Sequence, residues 1–192
     1  MSTEISAYSR NYVARRGMFF GREFRLFGPE GNLRFFVKQK AFKLKEEITV
    51  FADEGQTKPM LRIKARSIMD VSATYDVTDA ASGQRIGALR RAGLKSMLRD
   101  EWLILDEADS QIGTCQEDSM LMALVRRFLA NIIPQAFTVS SPAGQIGTVK
   151  QRFNPFQLTV DVALDGPAAA SLDPRIGVAM VVLLLAIEGR QG

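Results

Sequence analysis

Short stretches in which apolar and polar residues alternate recur along the chain from about residue 22. In the stretch 61–66, the apolar side chains at 61, 63 and 65 alternate with basic side chains at 62, 64 and 66. A period of two is typical of a β-strand with one face in a core and the other in water. The sequence therefore predicts strands here and in the similar segments 33–38, 46–52, 72–78, 101–105, 135–140 and 156–163.

Several of these segments open a repeated unit of strand, acidic or glycine-rich turn, and second strand. In three units the second strand contains an Ile-Gly pair, beginning at Ile86, Ile112 and Ile146. The sequence between units is too short for a crossover helix, so we expect antiparallel hairpins that form a closed sheet or a sandwich. We expect the glycine of each pair to relieve crowding between barrel strands.

Two segments have the residue spacing of helices. Residues 119–130 carry apolar residues at helical spacing, with Arg126 and Arg127 on the exposed side, which predicts an amphipathic helix. In the second segment, Asp173 suits the N-cap and Pro174 suits the first helical position. This helix is expected to span residues 174–188.

The C-terminal helix contains an apolar run, 176–187, without a polar face. Such a helix lies inside protein or inside lipid. At about 1.5 Å per residue the run measures roughly 18 Å, well short of a hydrocarbon core of about 30 Å. A buried core helix is therefore favoured, and a membrane-inserted tail is the alternative. Because a flat sheet covers one side only, we expect a mainly β fold: a closed antiparallel barrel of about twelve strands around this helix.

Three stretches carry a family resemblance: Phe35–Lys45, Ile48–Gly55, and Leu172–Arg175 with the apolar helix that follows. They resemble the LURP-one-related family and its phospholipid scramblase relatives, over about residues 20–188. The resemblance implies the tubby C-terminal-like fold, a twelve-stranded barrel around a central hydrophobic helix. It also implies lipid binding, since tubby relatives bind phosphoinositides and scramblases associate with lipid. The cysteine-rich segment of scramblases has no counterpart, because Cys115 is the single cysteine.

The chain of 192 residues, of which 46% are hydrophobic, suffices for one domain with a sizeable core. Residues 1–19 lack clear periodicity and are expected to form an N-terminal arm of uncertain order. Residues 20–192 are expected to form the barrel domain. The N-terminus has no apolar segment of a signal peptide, and one cysteine suits a reducing compartment. We therefore expect a cytoplasmic protein, with peripheral membrane contact left open and no transmembrane span.

The absence of histidine from the sequence excludes Ser-His-Asp and Cys-His catalysis and histidine-ligated zinc. The acidic segment 106–109 lacks the pattern of a calcium loop and is interpreted as a hairpin turn. Cys115 lies in a predicted strand without a clear cationic activator, so we interpret it as structural. No glycine motif for nucleotide binding occurs. We expect no enzymatic activity, no metal and no cofactor.

Basic residues in two neighbouring segments are the candidate ligand-binding residues. One strand face carries Arg62, Lys64 and Arg66, and the next basic stretch contains Arg90, Arg91 and Lys95. If hairpin pairing joins them, they attract anionic phospholipid headgroups with about 1 kcal/mol per residue. The alternative is a solvated barrel exterior whose charges prevent edge-to-edge association. The net charge of +4, mixed in sign, gives little support for a nucleic-acid partner.

Three functions remain open. The first is a non-catalytic binding protein that recognises anionic phospholipid, or another anionic ligand, through a basic barrel face. The second is a protein-interaction scaffold, which requires an exposed apolar patch. The third is an enzyme with converged carboxylates, which requires a pocket with perturbed acids.

Overall fold

Twelve antiparallel strands form a closed barrel in the computed structural model, which describes residues 8–17, 23–38, 47–66, 73–92, 101–118, 134–154 and 156–187. Each strand pairs with its sequence neighbours, and the first pairs with the last. The predicted twelve-stranded barrel is confirmed. The strands are β1 Asn11–Gly17, β2 Glu23–Phe27, β3 Leu33–Lys38, β4 Ile48–Phe51, β5 Pro59–Ala65, β6 Thr74–Asp79, β7 Arg85–Arg91, β8 Glu101–Leu105, β9 Gln111–Glu117, β10 Ala136–Ser141, β11 Gly144–Arg152 and β12 Gln157–Ala163.

Among the described residues there is one α-helix, α1 at Pro174–Ile187, and it fills the barrel. Every residue from Ile176 to Ile187 is buried, on all sides of the helix. The inward side chains of the strands, among them Phe24, Phe35 and Trp102, belong to the same buried core. The predicted central helix is therefore confirmed. Among the described residues, no helix has the length and apolar character needed to cross a membrane.

Because consecutive strands are antiparallel, their connections alternate between two ends of the barrel. At one end, which we name the turn end, are the connections 28–32, 52–58, 80–84, 106–110 and 142–143, and the segment 164–173 that enters α1. The other end, named the loop end, holds the β11–β12 connection and the last turn of α1. There the Arg16 guanidinium donates to the carbonyl of Leu185 at 2.9 Å and so satisfies one of the free carbonyls at the helix C-terminus.

The segment Leu172–Arg175 fixes the start of α1 at the turn end. The Asp173 carboxylate accepts from the backbone N–H of Arg175 at 2.9 Å, and the Asp173 carbonyl accepts from that of Ile176 at 3.0 Å. The Arg175 guanidinium contacts both Asp173, at 2.7 Å, and Asp79, at 3.2 Å. Since Asp79 ends β6, these ion pairs tie the helix to the barrel wall.

The structure corrects the expected N-terminal boundary. Residues 11–17, assigned to an arm of uncertain order, form β1 and pair with both β12 and β2. The barrel therefore begins within the first 20 residues and cannot close without them. The pairing partner of β1 is almost 150 residues away in sequence, so local periodicity gave no signal for it.

The Ile-Gly pairs lie where strands approach each other closely, as expected. A Cβ added to Gly147 would lie 1.9 Å from the backbone oxygen of Ala163 and 2.6 Å from the Cα of Leu164. At Gly87, with φ +154°, an added Cβ would lie 2.5 Å from the backbone oxygen of Leu105. No larger residue fits at these two positions without displacement of backbone.

The predicted amphipathic helix at 119–130 lies outside the described residues, as does the candidate site residue Lys95. Both remain predictions.

Candidate functional site

The predicted basic face is present on the outside of β5. Arg62 and Lys64 are exposed and point away from the core, because the alternate residues Leu61 and Ile63 are buried. Arg66 follows the strand directly and is also exposed. The spacing of these three residues therefore predicted their common face correctly.

Arg66 is, however, part of an ion-pair cluster that the sequence did not reveal. Its guanidinium contacts the Asp76 carboxylate at 2.8 Å and the Asp109 carboxylate at 2.6 Å. Arg85 contacts the same two carboxylates, Asp76 at 2.6 Å and Asp109 at a shorter distance. Two arginines and two aspartates thus compensate each other on the barrel exterior.

The other candidate cations differ in their partners and in the side of the sheet from which they project. Arg62 lies 3.5 Å from the Glu47 carboxylate, and Arg90 donates to the Thr74 hydroxyl at 3.1 Å. Arg91 follows Arg90 along β7 and pairs in register with the buried Trp102. The Arg91 side chain therefore starts on the inner side of the sheet, opposite to that of Arg90. Within the described part of the chain, Lys64 forms no ion pair. The outer surface at β5 consequently carries less uncompensated positive charge than the sequence indicates.

The cluster also bears on the hypothesis of an enzyme with converged carboxylates. Asp76 and Asp109 do converge, but burial, which alone would raise the pKa of Asp76, is outweighed by hydrogen bonds from Arg66 and Arg85 that lower it. Hydrogen bonds from Arg66, followed by those from Arg85, lower the pKa of Asp109 to about 2. Both carboxyl groups are ionised at neutral pH and hold no proton for acid catalysis.

These pKa values predict how stability depends on pH. A carboxyl group whose pKa is lower in the folded state stabilises the fold above its unfolded pKa, and this contribution is lost as pH falls through the folded pKa. For Asp109 the window runs from about 4 to about 2, given the ordinary value of 3.8. Urea unfolding of the wild type and of Asp109→Asn should give a stability difference that is constant above this window and shrinks within it. A difference that does not change from pH 5 to pH 2 would contradict the ion-pair cluster.

The acidic segment 106–109 forms a hairpin turn, as predicted. The Asp109 N–H donates to the Asp106 carbonyl at 3.2 Å, and Asp109 adopts a left-handed conformation with φ 64°. Among the described residues, no group of His, Cys, Asp or Glu side chains is arranged to hold a metal ion.

A second candidate surface, with exposed aromatic side chains, lies at the loop end in the connection between β11 and β12. Its two phenylalanines, Phe153 and Phe156, have exposed fractions of 62% and 72%. Within the described part of the chain, no other large hydrophobic side chain is exposed. The Asn154 carboxamide oxygen accepts from the N–H groups of Phe156, at 2.9 Å, and Gln157, at 3.1 Å, so the backbone of this connection is held by its own hydrogen bonds.

Polar and basic side chains flank the two phenylalanines. In the barrel register, Thr159 of β12 lies between Arg15 of β1 and Arg152 of β11. These residues project outward, since Val160 next to Thr159 is buried in the core. Together with Phe153, Asn154 and Gln157 they line a cavity of about 320 Å³ that is open to solvent. We name this set the β12 site.

The β12 site was not predictable from the sequence for two reasons. Arg15 lay in the segment assigned to the arm, and its neighbours Thr159 and Arg152 are distant in sequence. The one local signal was the pair of phenylalanines around Asn154 and a proline, where a turn does not call for large apolar residues.

Comparisons with known proteins agree with this architecture. The family model described as LURP-one-related matches residues 33–185. No curated protein matches the chain. The X-ray structure of a protein from Arabidopsis thaliana is similar, with a TM-score of 0.54 and 13% identity over 96% of each chain, which shows a shared fold. Since the family model covers most of the sequence, the chain belongs to the LURP-one-related family.

Proposed function

We propose that this protein is a non-catalytic binding protein that recognises membranes containing anionic phospholipid, and that it does so through the loop end of the barrel. Family membership and the barrel fold indicate a non-enzymatic binding module. The observation that carries the choice of ligand is the pair of exposed phenylalanines beside the arginines of the β12 site. Exposed aromatic side chains next to cations are the combination that anchors proteins at an anionic membrane surface.

The charges at the two barrel ends support this orientation. The connections at the turn end carry Lys58 against many acidic residues: Glu30, Asp53, Glu54, Asp106, Glu107, Asp109, Asp165 and Asp173. The sequences that connect strands at the loop end have the opposite balance, with the acidic residues Glu46, Glu47, Asp70, Asp100 and Asp118 against the basic residues Arg22, Lys40, Lys43, Lys45, Arg66, Lys95, Arg99, Arg126 and Arg127. An anionic bilayer attracts the loop end and repels the turn end.

The predicted basic face on β5 is a weaker candidate for the same role. The cations Arg66 and Arg85 are compensated by Asp76 and Asp109, and no exposed large apolar residue lies on β5. Moreover, β5 lies across the barrel from β11 and β12, so one flat membrane does not contact both surfaces.

Co-sedimentation with vesicles tests the proposal. Phosphatidylcholine vesicles doped with phosphatidylserine should bind the wild type, and pure phosphatidylcholine vesicles should bind it much less. The double variant Phe153→Ser and Phe156→Ser should lose at least about tenfold in affinity, since burial of one Phe is worth about 1.5–3 kcal/mol and tenfold corresponds to about 1.4 kcal/mol. High salt should weaken the remaining electrostatic attraction.

The matched control is the double variant Lys64→Glu and Arg90→Glu, which reverses charge on the predicted basic face and should bind almost as the wild type does. If this control loses binding while the phenylalanine variant keeps it, the membrane-binding surface is the β5 face and the loop-end proposal is wrong. If the wild type binds no vesicle at low salt, the lipid proposal is wrong. The two exposed phenylalanines would then favour the alternative function, a protein-interaction scaffold.

A further inference from the structure

The β12 site brings two guanidinium groups over one buried threonine. Arg15 and Arg152 occupy the register positions on either side of Thr159, each one strand away. With about 4.8 Å between neighbouring strands, their backbones are roughly 10 Å apart. Thr159 is 6% exposed, and both arginines line the cavity above it. Two long side chains that start this far apart have the reach to converge on one small group between them.

The site contains more hydrogen-bond donors than acceptors. The Arg15 guanidinium stacks on the Phe27 ring at 5.0 Å and, within the described residues, makes no hydrogen bond or ion pair. The Arg152 guanidinium uses Nε and Nη2 for the Asp161 carboxylate, at 2.6 and 2.5 Å, and this leaves Nη1. The Thr159 hydroxyl and the Gln157 carboxamide add further donors. The Asn154 oxygen, by contrast, already accepts two backbone N–H groups.

The charges around the cavity also favour an anion. Asp161 is the nearby acidic residue on β12, and Arg152 compensates it. Its register partner on β11, Lys150, is exposed, and Arg15 contributes a cation without a carboxylate partner among the described residues. After Asp161 is matched with Arg152, two positive charges remain. An Arg152 side chain held by Asp161 is also pre-oriented, which lowers the conformational cost of binding.

We propose that the β12 site binds a phosphomonoester group, such as the terminal phosphate of an anionic phospholipid headgroup. This inference rests on the proposed membrane function and names the chemistry that the same surface selects. A phosphomonoester offers three terminal oxygens and up to two negative charges, and it matches the bidentate geometry of arginine. A phosphodiester within a lipid headgroup offers two free oxygens and one charge, and so leaves donors of the site unpaired. Phe153 and Phe156 beside the cavity place a lipid-borne phosphate at the depth of the headgroups.

Two probes distinguish a lipid-borne phosphate from a free one. Vesicles doped with phosphatidic acid, a phosphomonoester, are compared with vesicles doped with phosphatidylglycerol, a phosphodiester, at matched surface potential. Inorganic phosphate is titrated separately while the backbone amide signals of Thr159 and Arg15 are followed by NMR. We expect several-fold tighter binding to the phosphatidic acid vesicles, and amide shifts at both residues.

The variants are Arg15→Gln and Thr159→Val, which remove donors and preserve size, with Lys64→Gln as the control on another face. Each variant should keep the melting temperature of the wild type within a few degrees. Arg15→Gln and Thr159→Val should remove the preference for phosphatidic acid while binding to phosphatidylglycerol vesicles falls less. Lys64→Gln should retain the preference.

The outcomes separate this inference from the proposed function. Equal binding of the wild type to both vesicle types overturns the phosphomonoester site and leaves the membrane function intact. Binding to neither vesicle type overturns the membrane function. Amide shifts with inorganic phosphate but no vesicle binding would assign the site to a soluble phosphomonoester and contradict its role at a membrane.

Discussion

Replacement of Val181 by Asp should abolish folding of the whole domain. Val181 lies in the middle of α1, and its exposed fraction is 0%. A carboxylate placed there is surrounded on every side by apolar core residues, with no partner to offset the loss of hydration. We expect a loss above about 4 kcal/mol, which is comparable to the total stability of about 5–15 kcal/mol that is typical of a domain. Circular dichroism and size-exclusion chromatography should show unfolded or aggregated protein.

Val181→Ala is the matched control for this substitution. It removes two methyl groups without adding charge and should cost about 2 kcal/mol, so that the domain stays folded with a lower melting temperature. If Val181→Asp were monomeric with the melting temperature of the wild type, α1 would not be enclosed by the barrel.

A single added methyl group at Gly147 should be nearly as damaging. Its Cβ would lie 1.9 Å from the backbone oxygen of Ala163 and 2.6 Å from the Cα of Leu164. Both contacts are with backbone, so no side-chain rotation relieves them, and the end of β12 must move away from β11. We expect Gly147→Ala to cost roughly 3 kcal/mol or more, measured by urea unfolding.

Gly83→Ala separates this steric effect from the ordinary cost of glycine replacement. Gly83 has φ 71°, and nothing lies within 4 Å of its added Cβ. Its replacement therefore carries the backbone penalty alone, about 1–2 kcal/mol. Equal costs at Gly147 and Gly83 would contradict the close approach of β11 to the end of β12.

The barrel and its helix were predictable because each follows from a local pattern. Alternation in segments such as 61–66 identifies strands, and the apolar run 176–187 identifies a helix that must be surrounded. The Ile-Gly pairs in the sequence indicated close approach between strands, and Gly87 and Gly147 confirm it.

β1 was not predicted as a strand because its apolar and polar residues do not alternate between the inner and outer faces. Val13, an apolar residue, lies on the outer face, whereas Arg16 lies on the inner face. Arg16 is accommodated there because its guanidinium donates to a carbonyl of α1 and lies over the Phe24 ring, with Cζ 5.6 Å from the ring centroid. The pairing of β1 with β12 joins the first and last strands of the barrel, which are about 140–150 residues apart in sequence.

The proposed binding surface was harder to predict than the fold, because the net charge of a surface depends on ion-pair partners that are distant in sequence. The sequence indicated that Arg66 was available to bind an anionic ligand, but Asp109, 43 residues away, forms an ion pair with it. Arg15 and Arg152 lie on either side of Thr159 only once the barrel closes. Composition and family resemblance suggested an anionic ligand, whereas the proposed location of its site depends on the strand register.

The most direct test of the loop-end docking proposal is the membrane depth of residue 156. Cys115 is buried with an exposed fraction of 0%, so a cysteine introduced by Phe156→Cys can be labelled selectively with an environment-sensitive dye, and Lys64→Cys provides the matched label on β5. On phosphatidylserine-doped vesicles, the label at position 156 should shift to the blue and be quenched by brominated lipid, while the label at position 64 should not change. A change at position 64 with none at position 156 would contradict docking through the loop end.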